Sequence, residues 1–429
     1  MQSEFPVVKD LVLIGGGHAH ALVLRMWAMR PLAGVRVTVI NPAPIAPYTG
    51  MLPGHIAGHY TRDEIMIDLV RLARFAGARV ILDRVVGIDR DAKQVILAGR
   101  PAISYDVACI DIGISSDLPE VTGYDAHGVA AKPLGDYAAR WQEFIVRDLP
   151  SPNVVVIGAG VGGVELALAS AHRLGGRAKV TLLQRSAEVL PNIGAGARAA
   201  LRDHLTAAGV EVLTEAEPAE IKAQSVTLQD GRSLASDFTL AVAGGRPQAW
   251  LSQIGVETHA GFITVGPSLQ SSDPAIFAAG DCAHLGFAPR PKAGVFAVRE
   301  APILLHNLRS ALAEKGRMRP YRPQRDYLKL ISTGGQAAVA DKWGLRLEGA
   351  WLWRWKDQID RKFMAKFADY PPMIRPLPAI AAAGLAEAIG PKPLCGGCGA
   401  KLGAADLSAA LAAVPPRSVH PALVPGVSV

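Results

Sequence analysis

Two glycine-rich stretches have the residue type and spacing that binding a diphosphate group requires. The first reads Gly15-Gly16-Gly17-His18-Ala19-His20, and the second reads Gly158-Ala159-Gly160-Val161-Gly162-Gly163. Glycine lets the backbone turn tightly and approach a phosphate closely, and the free N–H groups at the start of a following helix attract its negative charge. We therefore expect a phosphate-binding turn at each stretch.

Each stretch lies in the order of strand, turn, helix and strand that a βαβ unit requires. Apolar runs at 11–14 and 35–40 flank the first helix, and runs at 154–157 and 180–183 flank the second. The residue that follows the second run lies 26 positions after the first glycine in both units. Two complete units with matching spacing predict two dinucleotide-binding sites.

Three residues depart from the usual pattern of such units. His20 stands where a third glycine normally permits close packing of helix on strand, so we expect the first helix to lie slightly farther out. Asn41 and Gln184 stand where a carboxylate usually binds a ribose hydroxyl, although Asn41 can still accept a hydrogen bond. Because Arg185 follows Gln184, the choice between NADH and NADPH stays open.

Composition limits the class of protein. The chain has 429 residues, 50% of them apolar and 19% charged, which indicates two to three globular domains and excludes a disordered chain. Four cysteines are too few for a disulfide framework, and we see no signal peptide or membrane span, so a cytoplasmic location is expected. The net charge is +7, but the basic residues are scattered without a nucleic-acid-binding motif, so no nucleic-acid partner is expected.

A further motif carries a family resemblance. The segment 272–281, SDPAIFAAGD, resembles the second flavin fingerprint of flavoproteins with two dinucleotide domains. The resemblance implies that Asp281 binds the ribityl chain of FAD and that Gly280 clears space beside it. Segments 112–115 and 243–247 are similar to the strand-end motifs of the same proteins. In this order the motifs resemble the pyridine nucleotide–disulfide oxidoreductase superfamily over residues 10 to 310.

The resemblance implies an α/β fold with two Rossmann-like domains, each a three-layer arrangement around a parallel sheet. An NAD(P)H domain is expected inside an FAD domain, followed by a C-terminal α+β segment. The predicted parts are an FAD-binding domain (1–115 and 266–315), an NAD(P)H-binding domain (116–265), a C-terminal segment (316–370), a linker (371–393) and a final segment (394–429).

The same resemblance assigns residues to the two cofactors. The predicted FAD residues are Gly15, Gly16, Gly17, His18, Ala19, Asn41, Gly113, Gly280, Asp281, Ala293 and Gly294. The predicted NAD(P)H residues are Gly158, Gly160, Val161, Gly162, Gly163, Glu165, Gln184, Arg185, Gly244 and Gly245. Glu165 and Lys292 are expected beside the reacting rings, with Lys329 and Tyr48 as weaker candidates. Because the flavin carries the chemistry, no side-chain catalyst is assigned and no metal site is expected.

The histidines and cysteines limit the reactions that the chain is expected to catalyse. We interpret His18 and His20 as packing or hydrogen-bonding groups beside the diphosphate turn, because proton transfer at a flavin ring lies far from its phosphates. The region 46–54, where disulfide reductases carry a redox cysteine pair, has no cysteine. Cys109 is expected in the core, and Cys282 near FAD without an obvious partner. Disulfide exchange is therefore unsupported.

The stretch from 330 to 353 resembles the C-terminal segment of type II NADH:quinone dehydrogenases. It implies a quinone or other small electron acceptor. Within Trp351–Phe367 (WLWRWKDQIDRKFMAKF), one helical stripe is predicted, formed by Leu352, Trp355, Ile359, Phe363 and Phe367. This stripe suits either peripheral contact with a membrane or packing on the protein's own core or in a homodimer.

The tail adds a second resemblance. Residues 393–403 contain Cys395, Cys398 and Lys401 and look like the N-terminal catalytic segment of selenide, water dikinases. One CxxC supplies only two ligands for zinc. The chain thus resembles the flavoprotein half of NADH dehydrogenase–selenide, water dikinase fusions. Two alternatives follow: a reductase of a soluble selenium or sulfur species serving a dikinase partner, and a non-catalytic FAD-binding sensor.

Overall fold

The computed structural model describes residues 5–370, apart from Ala243 and Trp343. The predicted linker at 371–393 and the predicted dikinase-like segment at 394–429, with Cys395, Cys398 and Lys401, lie outside the described residues.

The described chain alternates helices and strands. The helices are α1 (His18–Met29), α2 (Leu52–Ala57), α3 (Leu69–Ala76), α4 (Tyr124–His127), α5 (Leu134–Val146), α6 (Val161–Leu174), α7 (Ala195–Ala207), α8 (Gly294–Ala313) and α9 (Ala350–Ala368). The strands are β1 (Lys9–Ile14), β2 (Val35–Asn41), β3 (Ile45–Pro47), β4 (Met66–Asp68), β5 (Arg79–Leu82), β6 (Val85–Asp89), β7 (Gln94–Leu97), β8 (Ile103–Ser104), β9 (Val107–Ile110), β10 (Gly128–Ala130), β11 (Asn153–Ile157), β12 (Lys179–Leu183), β13 (Glu211–Leu213), β14 (Pro218–Ile221), β15 (Ser225–Leu228), β16 (Ser233–Ala235), β17 (Phe238–Ala241), β18 (Thr258–His259), β19 (Phe262–Val265), β20 (Ile276–Ala278), β21 (Ala283–Leu285), β22 (Lys329–Ser332), β23 (Ala338–Asp341) and β24 (Leu347–Gly349).

The first five-stranded sheet has the order β20-β9-β1-β2-β5, and all its neighbouring strands are parallel. The last four residues of β1, 11–14, are buried, as is typical of a parallel strand covered on both faces. Helix α1 starts directly after the glycine turn and ends before Pro31, which cannot continue a helix. Helices α3 and α8 pack on α1.

The second five-stranded sheet has the order β10-β17-β11-β12-β13 and is also parallel throughout. Strand for strand it repeats the first sheet, with β11 in the place of β1 and β17 in the place of β9. Each unit also carries an antiparallel three-stranded sheet, β6-β7-β8 in the first and β14-β15-β16 in the second. The predicted α/β fold with two Rossmann-like units is confirmed.

The second unit is inserted into the first through one short joint. The chain leaves the first sheet after β9 and returns after β17, and at both points a glycine has a positive φ (Gly113, 69°; Gly244, 64°). Two residues later, Ser115 and Arg246 exchange backbone hydrogen bonds of 2.9 and 2.8 Å. The entrance and the exit of the inserted segment therefore lie side by side.

The packing bears on the predicted boundary at residue 265. Leu251, Ile254 and Ile263 are buried in the same core as β1 and β9, and β19 pairs with β21. The stretch from 249 to 265, which the sequence grouped with the inserted domain, thus packs with the first unit. A boundary close to residue 248 would describe this packing better.

In the structure, helix α9 buries only part of the predicted apolar stripe. Leu352, Phe363 and Phe367 are buried, whereas Trp355 and Ile359 are 43% and 46% exposed. The inner face of α9 packs on the sheet β22-β23-β24 and on the first unit, which leaves Trp355 and Ile359 on its outer edge. Among residues 5–370 outside the two omitted positions, no helix has the length and apolarity to cross a lipid bilayer.

Candidate active site

The first glycine turn is shaped by contact with the end of β9. Gly15 has a φ of +96°, and a Cβ built on it would lie 2.3 Å from the carbonyl oxygen of Asp111. A Cβ on Gly17 would lie 2.2 Å from a carboxylate oxygen of the same aspartate. Both positions therefore require glycine, and the turn lies directly against Asp111.

Two amide side chains hold the glycine turns in place. The Gly16 N–H donates to Asn41 Oδ1 at 3.0 Å, and the Ala159 N–H donates to Gln184 Oε1 at 3.1 Å. The sequence placed these strand-end residues among the cofactor-binding ones, at the position where a carboxylate usually binds a ribose hydroxyl. In the structure they bind the turn that precedes their own βαβ helix, at the same place in both units.

The second turn is tighter than the first. Gly158 has a φ of +107°, and a Cβ on Gly163 would lie only 1.7 Å from the carbonyl oxygen of Gly158. A Cβ on Gly160 would meet no described atom within 4 Å. Space is therefore open beside the backbone of Gly160, which suits the approach of a diphosphate.

His20 replaces the third glycine by filling the space that a glycine would leave. The side chain is fully buried, and its Nδ1 lies 2.8 Å from the carbonyl oxygen of Gly15. Burial lowers the pKa of His20 to about 4, so the ring is neutral at pH 7. The predicted packing role agrees with this geometry.

Asp111 is a residue that the sequence reading missed. It is buried at the end of β9, and its carboxylate accepts the His20 N–H at 3.0 Å. Burial raises the pKa of Asp111 to about 6. Its position two residues before Gly113, at the carboxyl end of a buried strand, was the available signal. The equivalent residue of the second unit is Val242.

His18 lies between the first turn and the start of α8. Its ring centroid is 5.4 Å from that of Tyr48 and 6.1 Å from that of Phe363, both edge-on. A Cβ on Gly294 would lie 3.5 Å from His18 Nδ1. Burial lowers the pKa of the imidazole, and its Nε2 is buried without a hydrogen-bond partner among the described residues. This nitrogen is free to bind a ligand.

Asp281 makes an ion pair with the inserted unit. Lys132 Nζ lies 2.7 Å from a carboxylate oxygen of Asp281. Next to it, the Gly280 N–H donates to Glu300 at 2.7 Å, and burial raises the pKa of Glu300 to about 7. Lys132, which follows β10, and Glu300 of α8 therefore bind the segment that resembles a flavin fingerprint.

The two described cysteines are inert groups. Cys109 and Cys282 are both fully buried. The Cys282 thiol contacts the carbonyl oxygen of Ala279 at 3.2 Å, and burial raises its pKa to about 12. Burial also raises the pKa of Cys109. Because the thiolate is the reactive form, neither residue suits disulfide exchange at neutral pH.

Glu165 of α6 lies where three parts of the chain meet. Its carboxylate accepts the Ser332 N–H at 2.8 Å, and burial raises its pKa to about 7. Beside it, Lys356 pairs with Asp360 at 2.6 Å, and the Tyr48 hydroxyl donates to Asp360 at 2.8 Å. The predicted candidates Glu165 and Tyr48 thus belong to one polar cluster with α9.

Both predicted lysines, Lys292 and Lys329, bind other groups of the protein. Lys292 Nζ donates to the carbonyl oxygen of Ala283 and lies 4.0 Å from the centroid of the Phe262 ring. Lys329 pairs with Asp341 at 2.6 Å. Their positions beside the flavin stay predictions.

The other predicted site residues occupy turns and helix starts. Ala293 is the extended residue before α8, and Gly162 lies in the first turn of α6. Arg185 is exposed after β12, and Gly245 lies in the returning joint. A Cβ on Gly113 or on Gly244 would meet no described atom within 4 Å. The two sets of predicted residues therefore gather at the carboxyl ends of the two parallel sheets.

Most of the chain matches the model of a known protein family. A family model described as "Pyridine nucleotide-disulphide oxidoreductase" matches residues 9–301. The nitric oxide reductase FlRd-NAD(+) reductase of Pectobacterium atrosepticum is 27% identical over 300 residues, which cover 65% of this chain and 73% of that protein. The demethylphylloquinone reductase NdbB of Synechocystis sp. is 28% identical over 173 residues, covering 39% of this chain and 43% of that protein.

A solved structure has the same fold. The structure of NDH2 from Plasmodium falciparum in complex with NADH superposes with a TM-score of 0.69. It covers 84% of this chain and 97% of that chain at 13% identity, so the likeness concerns the fold alone.

Proposed function

We propose, from the premise that the chain belongs to the pyridine nucleotide-disulphide oxidoreductase family, that it passes electrons from NAD(P)H to a quinone-like acceptor. The chain is an NAD(P)H-dependent flavoprotein oxidoreductase, and its cofactors are FAD and NAD(P)H. FAD supplies the hydride acceptance and the onward electron transfer, and the protein supplies binding, orientation and electrostatics.

The residues of the first unit fit FAD. The N–H groups of the Gly15–Gly17 turn and of the start of α1 would bind the diphosphate, and Asp281 would accept hydrogen bonds from the ribityl hydroxyls. The unpartnered Nε2 of His18, between that turn and α8, would bind the same stretch of the cofactor. The open space at Gly160 would admit the diphosphate of NAD(P)H.

One observation supports a flat, apolar acceptor more than any other. Helix α9 brings Phe363 onto Tyr48, with ring centroids 4.5 Å apart and an interplanar angle of 22°. Phe363 also meets His18 edge-on. These rings form a partly buried aromatic wall between the first glycine turn and α9, and an aromatic wall near the cofactor favours a planar ligand such as a quinone ring.

The polar cluster behind this wall suits proton supply. Reducing a quinone to a quinol takes up two protons with two electrons, so the site needs groups that exchange protons near neutral pH. Glu165, whose pKa burial raises to about 7, is such a group, and near it Asp360 accepts a hydrogen bond from the hydroxyl of Tyr48, one ring of the aromatic wall. The name of the relative NdbB, a demethylphylloquinone reductase, supports the same class of acceptor.

A panel of acceptors tests the proposal. The purified holoprotein is reduced anaerobically with NADPH or NADH and then mixed with a soluble quinone, a small iron–sulfur protein, or selenite, while flavin absorbance is followed. We expect the quinone to restore the oxidised spectrum fastest. Faster reoxidation by the iron–sulfur protein or by selenite would overturn the quinone assignment. A flavin that neither nicotinamide reduces would indicate the sensor alternative.

We also propose that the outer edge of α9 contacts a membrane surface. Trp351, Trp355 and Ile359 follow one another at helical spacing and are 50%, 43% and 46% exposed, and Arg354 and Lys362 are exposed on the same helix. Co-sedimentation with vesicles rich in anionic lipid tests this contact. The double change Trp351→Ser and Trp355→Ser should abolish binding, whereas Val146→Ser, at an equally apolar exposed position on α5, should not. Equal binding by all three proteins would contradict it.

A further inference from the structure

The loop after β12 lies at the position that distinguishes NADH from NADPH in a βαβ unit. In such units a carboxylate at the strand end binds the ribose 2′-hydroxyl of NADH, or a nearby arginine binds the 2′-phosphate of NADPH. Here the strand is followed by Gln184, Arg185 and Ser186. The charges of this loop therefore bear directly on the choice of nicotinamide.

Gln184 cannot replace the missing carboxylate, because both ends of its amide are bound within the protein. Its Oε1 accepts the Ala159 N–H at 3.1 Å. Its Nε2 donates to Ser186 Oγ at 2.5 Å and to the carbonyl oxygen of Glu188 at 3.2 Å. These bonds fold the loop back on itself, and Arg185 within it is exposed.

The free charge of the loop is positive. Arg185 is exposed and makes no hydrogen bond or ion pair with any residue that the structure describes. Glu188 is bound by Arg198, which also donates to the carbonyl oxygen of Ile193 at 3.0 Å. Glu215 follows the neighbouring strand, and its N–H donates to the carbonyl oxygen of Ser186 at 3.4 Å. Within the loop itself the acidic group is thus paired, whereas the exposed carboxylate of Glu215 has no partner among the described residues.

The first unit provides an internal comparison. Its strand end reads Asn41-Pro42-Ala43, without a charged residue, and its predicted ligand FAD has no 2′-phosphate. The strand-end amide is common to both units and binds the same turn position in each. An arginine is therefore not needed to build the unit, and it occurs in the unit assigned to the pyridine nucleotide.

We infer that the second site selects NADPH over NADH, and that Arg185 binds the 2′-phosphate. A guanidinium offers two parallel N–H donors to a phosphate, and charge-assisted bonds of this kind are about twice as strong as neutral ones. This inference rests on the proposed oxidation of a nicotinamide, and it names the nicotinamide that is used.

Anaerobic stopped-flow reduction of the holoprotein tests the inference. The second-order rate constant for flavin reduction should be about tenfold greater with NADPH than with NADH. Arg185→Gln should lower the NADPH constant about tenfold more than the NADH constant, and Arg185→Lys should keep part of the preference because lysine retains the charge. Arg232→Gln removes an exposed arginine elsewhere on the inserted unit and should change neither ratio.

A binding measurement separates this inference from the proposed function. Calorimetric titration with adenosine 2′,5′-bisphosphate and with AMP does not depend on turnover, and the bisphosphate should bind more tightly only while Arg185 is present. Faster reduction by NADH, or equal loss of both rates in Arg185→Gln, would overturn the inference and leave the proposed function standing. If neither nicotinamide reduces the flavin, the proposed function fails, and the titration alone decides the inference.

Discussion

The two βαβ units have the same strand order, a strand-end amide that binds the turn, and a positive φ at the first glycine, yet three of the equivalent positions at which they differ lie directly at the turn. Where the second unit has Gly163, Glu165 and Val242, the first has His20, Leu22 and Asp111. In the second unit the helix touches the turn directly through glycine. In the first, an imidazole and a carboxylate lie between helix and turn.

The difference follows from what each site must do. A cofactor that stays bound can draw on distant residues, and the Asp281 predicted to bind it pairs with Lys132, 149 positions earlier in the chain. A substrate that enters and leaves at each turnover needs an open loop, and the second unit offers open space at Gly160. At equivalent positions of the two turns, Gly17 lies against the Asp111 carboxylate, whereas Gly160 has open space beside it.

The largest expected effect comes from adding one methyl group to the tighter turn. Gly163→Ala would place a Cβ 1.7 Å from the carbonyl oxygen of Gly158. Forcing the helix outward should cost about 1–3 kcal/mol, which thermal unfolding would report as a Tm lower by roughly 2–8 °C. Gly160→Ala is the control, because its Cβ meets no described atom within 4 Å. Equal Tm values for the two variants would break the comparison.

The next effect concerns the carboxylate that the first unit alone possesses. Burial raises the pKa of Asp111 to about 6, so it is neutral below that pH and charged above it. The charged form repels the FAD diphosphate, so Asp111→Asn should bind FAD as the wild type does at pH 5 and up to about tenfold more tightly at pH 7. Flavin fluorescence on release measures the affinity. Asp136→Asn, an exposed site on α5, should show no such pH dependence; a parallel shift in both variants would argue against the repulsion.

A smaller effect is expected at Glu165, whose counterpart in the first unit is Leu22. Because burial raises its pKa from 4.5 to about 7, the folded state prefers the protonated carboxyl. Its favourable contribution is complete below pH 4.5 and is lost as the pH rises through 7. Between pH 4.5 and pH 7, the Tm of the wild type should therefore fall by roughly a few degrees relative to the Tm of the Glu165→Gln variant. Glu143→Gln, exposed on α5, is the control, and a flat Tm difference would exclude the raised pKa.

The smallest effect tests whether the first unit depends on the inserted one. Lys132→Met removes the ion pair with Asp281, whose partners are 2.7 Å apart and partly exposed. Screening limits the loss to about 1 kcal/mol, or roughly fivefold in FAD affinity. Lys222→Met breaks an exposed pair with Glu220 and should leave FAD affinity unchanged. Unchanged affinity in Lys132→Met would mean that the first unit is complete on its own.

The sequence predicted those features that depend on residues close to one another in the chain. Both glycine turns, their flanking strands and the inserted order follow from local patterns of glycine and apolar residues, and the structure and the family match confirm them. Asp111 and Lys132 could not be found in this way. Asp111 binds a residue 91 positions earlier, and Lys132 pairs with one 149 positions later.

Helix α9 illustrates a related difficulty. Periodicity predicts an apolar stripe, but the same stripe fits a membrane, a second subunit or the protein's own core. In the structure, packing on the first unit buries Phe363 and Phe367 and leaves Trp355 outside. The choice depends on where the neighbouring elements fold, which no local pattern contains. The predicted dikinase resemblance of the tail stays a prediction.

The reciprocal backbone bonds between Ser115 and Arg246 have a practical meaning for protein engineering. Because the chain enters and leaves the inserted unit at adjacent points, that unit is joined covalently to the rest of the protein at one place. A nucleotide module from another flavoprotein, spliced between these two residues, would have to match this pair of strand ends and also restore the contacts of Glu165 with Ser332 and of Lys132 with Asp281. Coenzyme choice could then be exchanged, provided that the new module keeps these contacts with Asp281 and with β22.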